Sequence, residues 1–92
     1  MQRHGRKRPV EPEHAFAKAL REIRRERGLS QEALGFESGY HRTYISMLER
    51  SLMNPSLRTI LSLATALDVD GTELVRRTES HLGKRWRRPE PN

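Results

Sequence analysis

The sequence predicts an all-α fold of five helices, and three observations carry that prediction. Apolar residues recur at helical spacing, with Phe16, Leu20 and Ile23 in one segment and Leu57, Ile60, Leu61, Ala64 and Leu67 in another. Ser30, Ser56 and Asp70 stand where helices would start, while Gly28 and Gly39 stand where helices would stop. Between Gly28 and Glu49 the run GLSQEALGFESGYHRTYISMLE reads as two short helices joined by a tight turn.

Helix 1 is expected from Pro12, a residue suited to the first helical position. Its buried face is Phe16, Leu20 and Ile23, with Ala19 beside them. Its charged residues (Lys18, Arg21, Glu22, Arg24, Arg25, Glu26 and Arg27) read mainly as a solvated face laced with pairs one turn apart. Gly28 caps the helix and Leu29 enters the core.

Helix 2 opens at Gln31 behind the N-cap Ser30 and is anchored by Leu34. Gly35 is a poor helix former, so its place there predicts close packing by the next helix. Gly39 ends helix 2, and Tyr40 turns into the core. Helix 3 is expected over about 41–50, burying Ile45 and Leu48 and leaving His41, Arg42, Thr43, Ser46 and Met47 on its other faces. Helix 4 follows Ser56 with the stripe Leu57, Ile60, Leu61, Ala64 and Leu67 turned to the core. Asp68 to Gly71 is a turn in which Asp70 and Glu73 resemble a capping box. Helix 5 carries a thinner stripe of Leu74, Val75 and Leu82.

Two helices joined by a short Gly-containing turn form a helix-turn-helix, whose second helix enters the major groove of DNA. The residues that make this pattern are numerous and ordered. They run Gly-Leu-Ser-Gln-Glu-x-Leu, then Ser-Gly-x-x-Arg-Thr-Tyr-Ile-Ser-x-Leu-Glu, then Asn-Pro-Ser-Leu-x-Thr-Ile-x-x-Leu-Ala-x-Ala-Leu. Over about Ala15 to Thr78 the chain resembles the Xre/Cro/lambda-repressor family of helix-turn-helix DNA-binding domains. The segment Arg42 to Ser46 also resembles controller proteins of restriction–modification systems. The first resemblance implies a five-helix lambda-repressor-like domain over residues 12–82, flanked by basic tails at 1–11 and 83–92.

The same resemblance implies roles for individual residues. It sets Arg24 opposite Glu49 as a structural ion pair between helices 1 and 3. It gives Gln31 a DNA phosphate and a part in bracing the start of helix 3, against the plainer reading of an ordinary polar residue. It makes helix 5 a frequent dimer contact, so a homodimer is the expected partner besides double-stranded DNA.

Side-chain chemistry supplies the rest. Arg42 is the leading candidate for base reading, since a guanidinium bonds guanine O6 and N7 together. A phosphate contact is its alternative. Thr43 offers a hydroxyl or a methyl to a base edge, and Ser46 and Met47 lie one turn further in. Tyr44 has two readings, an OH on a phosphate or a ring packed across the helix. Arg50, Asn54 and Arg58 are phosphate candidates. His41 stands where the family usually has Ser, Thr or Asp, a departure expected to cost about 1 kcal/mol of capping. It is read either as a base or phosphate contact or as an exposed cap.

Leu52 and Met53 follow the recognition helix as an apolar pair, with local packing and a partner surface as the two readings. Ser51 stands where the family usually has Gly.

Composition bounds the function. The chain has 92 residues, enough for one small domain, with 18 Lys/Arg against 12 Asp/Glu. Residues 1–14 hold four Lys/Arg against two acids and residues 82–92 hold four against one, so the tails carry most of the excess. Such a balance points to polyanions. Residues 1–11, without periodicity, read as a disordered basic arm, through Arg3, Arg6, Lys7 and Arg8 either a DNA contact or a solvated tail. The lone Trp86 in the basic tail has three equal readings: nucleic-acid stacking, partner contact or exposed tail.

There is no cysteine, and the four His show no ligand spacing, so neither metal nor other cofactor is implied. No apolar run reaches membrane-span length and no signal peptide is evident, which makes the cytoplasm the expected compartment. No nucleophile–base constellation marks an enzyme.

The function expected is sequence-specific regulation of transcription, as repressor or activator. Two alternatives stay open. One is an antitoxin or adaptor that uses the fold to hold a protein partner, suggested by Leu52, Met53 and Trp86. The other is a non-specific nucleic-acid binder driven by the tails.

Overall fold

The computed structural model describes residues 11–83 and Trp86. Apart from Glu11, Gly83 and Trp86, the basic arm and tail expected at the two ends lie outside the described residues. Five helices follow in order: α1 (Pro12–Glu26), α2 (Gln31–Ser38), α3 (Arg42–Glu49), α4 (Leu57–Ala66) and α5 (Gly71–Leu82). The described residues contain no strand. No helix among them is long and apolar enough to cross a membrane.

α1 is the spine. Phe16, Ala19, Leu20 and Ile23 form its buried stripe, and it packs on both α3 and α5. Leu34, Ile45, Leu48, Leu63, Ala64, Leu67 and Leu74 close the core around that stripe. Leu29, Tyr40, Met53 and Ile60 pack against its edge.

α1, α3 and α4 end in the same way, and after α2 the Tyr40 N–H makes the equivalent bond to the Gly35 carbonyl at 3.0 Å across Gly39. The N–H two residues beyond the cap reaches back to the third carbonyl from the helix end: Leu29 to Arg24, Leu52 to Met47 and Val69 to Ala64, each 2.9 or 3.0 Å. That motif needs a left-handed residue after the cap, and the positions fall on Gly28, Ser51 and Asp68. Arg27, not Gly28, is therefore the capping residue of α1. Ser51 and Asp68 take φ of 64° and 60° without a glycine's freedom, a strain of order 1–2 kcal/mol each.

α4 departs from expectation. Its inward face is Thr59, Leu63, Ala64 and Leu67, with Ile60 partly buried, while Leu57 and Leu61 are 71% and 50% exposed. The segment contains two overlapping apolar stripes at helical spacing, and only one can face inward. Thr59 joins the inward one because its hydroxyl meets those of Ser56 at 3.0 Å and Tyr40 at 3.2 Å.

The charged face of α1 also departs from a solvated ladder. Glu22 and Glu26 reach across to α5, where Arg77 bonds them at 3.3 and 2.8 Å and His81 bonds Glu22 at 2.9 Å. Arg77 takes Glu73 as well, at 3.3 Å. Glu73 is thus drawn to arginines, and Asp70 makes no side-chain cap, so the expected capping box does not form. Arg27 donates to the Leu67 and Asp68 carbonyls at 2.7 Å, tying the end of α1 to the end of α4.

This clamp has a pH signature. The hydrogen bond with His81, then Arg77, holds the Glu22 carboxyl below its ordinary value, and Arg77 does the same for Glu26. A carboxylate depressed by folding stabilises the fold above its unfolded pKa and loses that contribution as pH falls through its folded value. Below about pH 4.5 the wild type should therefore lose melting temperature more steeply than Arg77→Ala, in which much of the depression is absent. Parallel curves by circular dichroism would show that the clamp adds nothing.

Candidate nucleic-acid interface

Positioning of α3 begins at Gly35. A Cβ there would lie 2.6 Å from the Tyr40 carbonyl oxygen and 3.3 Å from the Arg42 nitrogen. Only a residue without a side chain lets the start of α3 ride that close on α2. The turn between them is Gly39, Tyr40 and His41, and Gly39 takes φ of 83°. Ser30 caps α2 through the Ala33 N–H at 2.9 Å.

His41 caps α3. Its Nδ1 accepts from the Thr43 N–H at 3.0 Å, so that nitrogen carries no proton in this arrangement. The helix accordingly begins at Arg42 and ends at Glu49, one residue inside the expected span at each end.

The inward face of α3 is Ile45 and Leu48, both fully buried. Arg42 and Thr43 are exposed at its first turn, and Ser46 and Met47 are half-buried one turn on. Arg42 is exposed and makes no ion pair among the described residues. His41 is exposed beside it. These five residues, the expected base contacts, lie at or within one helix and form one surface.

The expected phosphate contacts divide. Arg50, Asn54 and Arg58 are exposed around the α3–α4 loop and the first turn of α4. Tyr44 is half-buried, with its ring 5.1 Å from that of Tyr40 and its OH 3.4 Å from the Thr59 hydroxyl. Gln31 is turned inward, and its amide donates to Glu49 at 3.1 Å. It braces the end of α3 and not the start.

Glu49 is the hub that holds the helix. It is 3% exposed, and Arg24, 8% exposed, grips it bidentately, with Nε to Oε2 at 2.6 Å and the outer nitrogen to Oε1 at 2.9 Å. The carboxylate raises the pKa of the guanidinium above its ordinary value. Arg24 also donates to the Leu29 carbonyl at 2.9 Å. Arg21 donates to the Glu49 carbonyl at 2.8 Å, satisfying one of the bare acceptors at the helix end. The part played by Arg21 is not legible in the sequence, because one arginine among many on a charged helix carries no distinguishing spacing. Phe36 on α2, an aromatic 85% exposed, has no sequence signal either.

The apolar pair after α3 splits, with Met53 packed against the core and Leu52 exposed. Among the described residues no cluster of His, Asp and Glu is arranged to hold a metal ion.

A short helix held by a buried ion pair, capped at its start and exposing at its first turn an arginine with no ion pair among the described residues, has the form of the recognition half of a helix-turn-helix. The helix-turn-helix family model matches residues 20–74, and the chain belongs to that family, of the Xre type. An uncharacterized HTH-type transcriptional regulator, y4dJ, of Sinorhizobium fredii is 46% identical over 57 residues, covering 62% of this chain and 74% of that one. Among solved structures, the restriction–modification controller protein C.AhdI from Aeromonas hydrophila is 50% identical with a TM-score of 0.66, covering 67% of this chain and 94% of that chain. The controller protein C.Esp1396I, solved as a tetramer with its natural 35-base-pair operator, is 25% identical with a TM-score of 0.73, covering 79% and 96%.

Proposed function

We propose that this protein is a sequence-specific, double-stranded DNA-binding regulator of transcription that reads the major groove with α3. The observation that carries the reading is the exposure of Arg42 and Thr43 on a helix that the buried Arg24–Glu49 pair ties to α1. The likeness to a controller protein solved on its operator supports it. In this reading His41, Arg42, Thr43, Ser46 and Met47 face base edges, while Arg50, Asn54 and Arg58 neutralise phosphates. Tyr44 and Gln31, engaged inside the fold, act chiefly by positioning. The DNA-binding domain is residues 12–82, and the basic segments 1–11 and 83–92 add salt-sensitive attraction to phosphates. The role is binding and not catalysis, and the proposed compartment is the cytoplasm.

The binding form is a homodimer on a pseudo-palindromic site, with half-sites about 34 Å apart. The surface proposed to meet the second copy is centred on α4 and the start of α5. Leu57 and Leu61 are one turn apart on α4, and Leu61 lies against Gly71, 2.8 Å from where a Cβ would stand. Val75, one turn beyond Gly71 on α5, is also exposed. An apolar surface of this kind is costly to leave in water. Leu57→Glu should weaken the dimer at least about tenfold by sedimentation equilibrium and leave the melting of the monomer little changed. An unaltered association constant would place the dimer contact elsewhere.

Selection from a random duplex library tests the whole reading. It should yield a pseudo-palindromic winner. An unenriched pool that binds only in a salt-sensitive way would favour a non-specific role.

A further inference from the structure

A second basic surface lies where α1 passes the end of α3. His14, Lys18 and Arg21 of α1 form one wall of a groove of about 460 Å³, and Glu49, Arg50 and Ser51 form the other. That is many times the roughly 30 Å³ share of one water, so the groove has room for a solvated phosphodiester.

Its charge is one-sided. The Glu49 carboxylate is taken up by Arg24 on both oxygens and by Gln31 on one. Lys18 and Arg50 make no ion pair among the described residues, and Arg21 reaches the already neutralised Glu49 carboxylate only at 4.0 Å, so the groove keeps a net positive charge. Arg21 stays 41% exposed while one nitrogen holds the Glu49 carbonyl, so its other N–H groups are available to the groove.

The walls are also fixed to each other. Ser51 and the His14 ring nitrogen Nδ1 are hydrogen-bonded at 3.2 Å, which joins the first turn of α1 to the second residue past α3. With Arg21 on the Glu49 carbonyl, the groove is stitched at two points. A site assembled beforehand loses little freedom on binding an anion.

We infer that this groove is a phosphate seat, in which Lys18 and Arg21 with Arg50 hold one backbone phosphate of the DNA whose bases α3 reads. The inference rests on the DNA-binding reading and adds α1 to the interface. It would give Lys18, exposed as the solvated-face reading expects, a DNA contact as well. A phosphate contact sets register and affinity without carrying sequence information, so the seat should act on all duplexes alike.

Lys18→Gln tests it, since Lys18 is exposed and bonds no described residue, so the fold does not depend on it. Fluorescence anisotropy on a selected duplex and a scrambled duplex should show weaker binding of both by the same factor. The slope of log affinity against log salt should fall by about 0.9, so between 50 and 200 mM salt the variant loses about threefold less affinity than the wild type. Replacing backbone phosphates one at a time by neutral methylphosphonate should reveal one position that weakens the wild type and leaves Lys18→Gln indifferent. An unchanged slope with no such position overturns the seat while leaving the base-reading role of α3 standing. A Lys18→Gln effect on self-association in place of DNA affinity would show that a second copy's acidic group occupies the groove, and overturns it too. A wild type that binds no duplex at all sinks the DNA-binding reading, and the seat with it.

Discussion

Arg42→Ala should bind its cognate site about 1–3 kcal/mol more weakly and discriminate less well among sites that differ at one base pair. The effect follows from where the guanidinium stands. It is exposed at the first turn of α3, free of any ion pair among the described residues, and beside Thr43. Removing it takes away no internal contact, so the fold should melt as before. Binding to scrambled DNA should fall only by the share of one positive charge. Selection repeated with the variant should return a consensus with one relaxed position in each half-site. If affinity for selected and scrambled duplexes fell equally, Arg42 would be holding a phosphate.

Arg24→Met should unfold the protein far more readily. The substitution leaves Glu49, 3% exposed, as a buried carboxylate with only the Gln31 amide and the more distant Arg21 at 4.0 Å. Breaking a buried pair from one side costs about 3–5 kcal/mol, which for a domain of this size lowers the melting temperature by more than about 12 °C. DNA binding should weaken together with stability, because Glu49 also fixes the end of α3. The double variant Arg24→Met/Glu49→Leu separates the two effects. Replacing both charges by apolar groups should restore most of the stability. An unchanged melting temperature in Arg24→Met would mean that the pair does not hold α3.

Much of the fold was legible because it is local. Pro12, Ser30, Gly39 and Ser56 punctuate helices through their own backbone chemistry, and the α1 stripe repeats without competition. Gly35 was legible for the same reason, since a glycine inside a helix asks for a close neighbour and the α2–α3 contact supplies one. α4 misled because Leu57 and Leu61 and the set Ile60, Leu63, Ala64 and Leu67 satisfy the same periodicity. The choice between them is made by tertiary contacts at Thr59. The α1 charges misled for a related reason. Spacing within one helix shows what Glu22 and Glu26 could pair with locally, but not that Arg77 and His81, more than 50 residues on, stand opposite them.

The candidate site divides along the same line. That Arg42, Thr43 and Ser46 share a face of α3 follows from helical geometry alone. His41 as a cap was open in the sequence, because a ring nitrogen accepts as a serine oxygen does only when the tautomer and rotamer allow it. That Gln31 turns to Glu49, and that Lys18 and Arg21 share a groove with Arg50, depends on how α1, α2 and α3 pack. No spacing in the sequence encodes such an arrangement.

The central claim is that α3 reads sequence, and the most direct measurement of it is a ratio. Affinity for the duplex won by selection is titrated against affinity for a scrambled duplex of the same length and composition, at one physiological salt concentration. A ratio of about 10³ or more is predicted, since a specific regulator must exceed its own electrostatic background by that margin. A ratio near one, with both affinities falling together as salt rises, would contradict it.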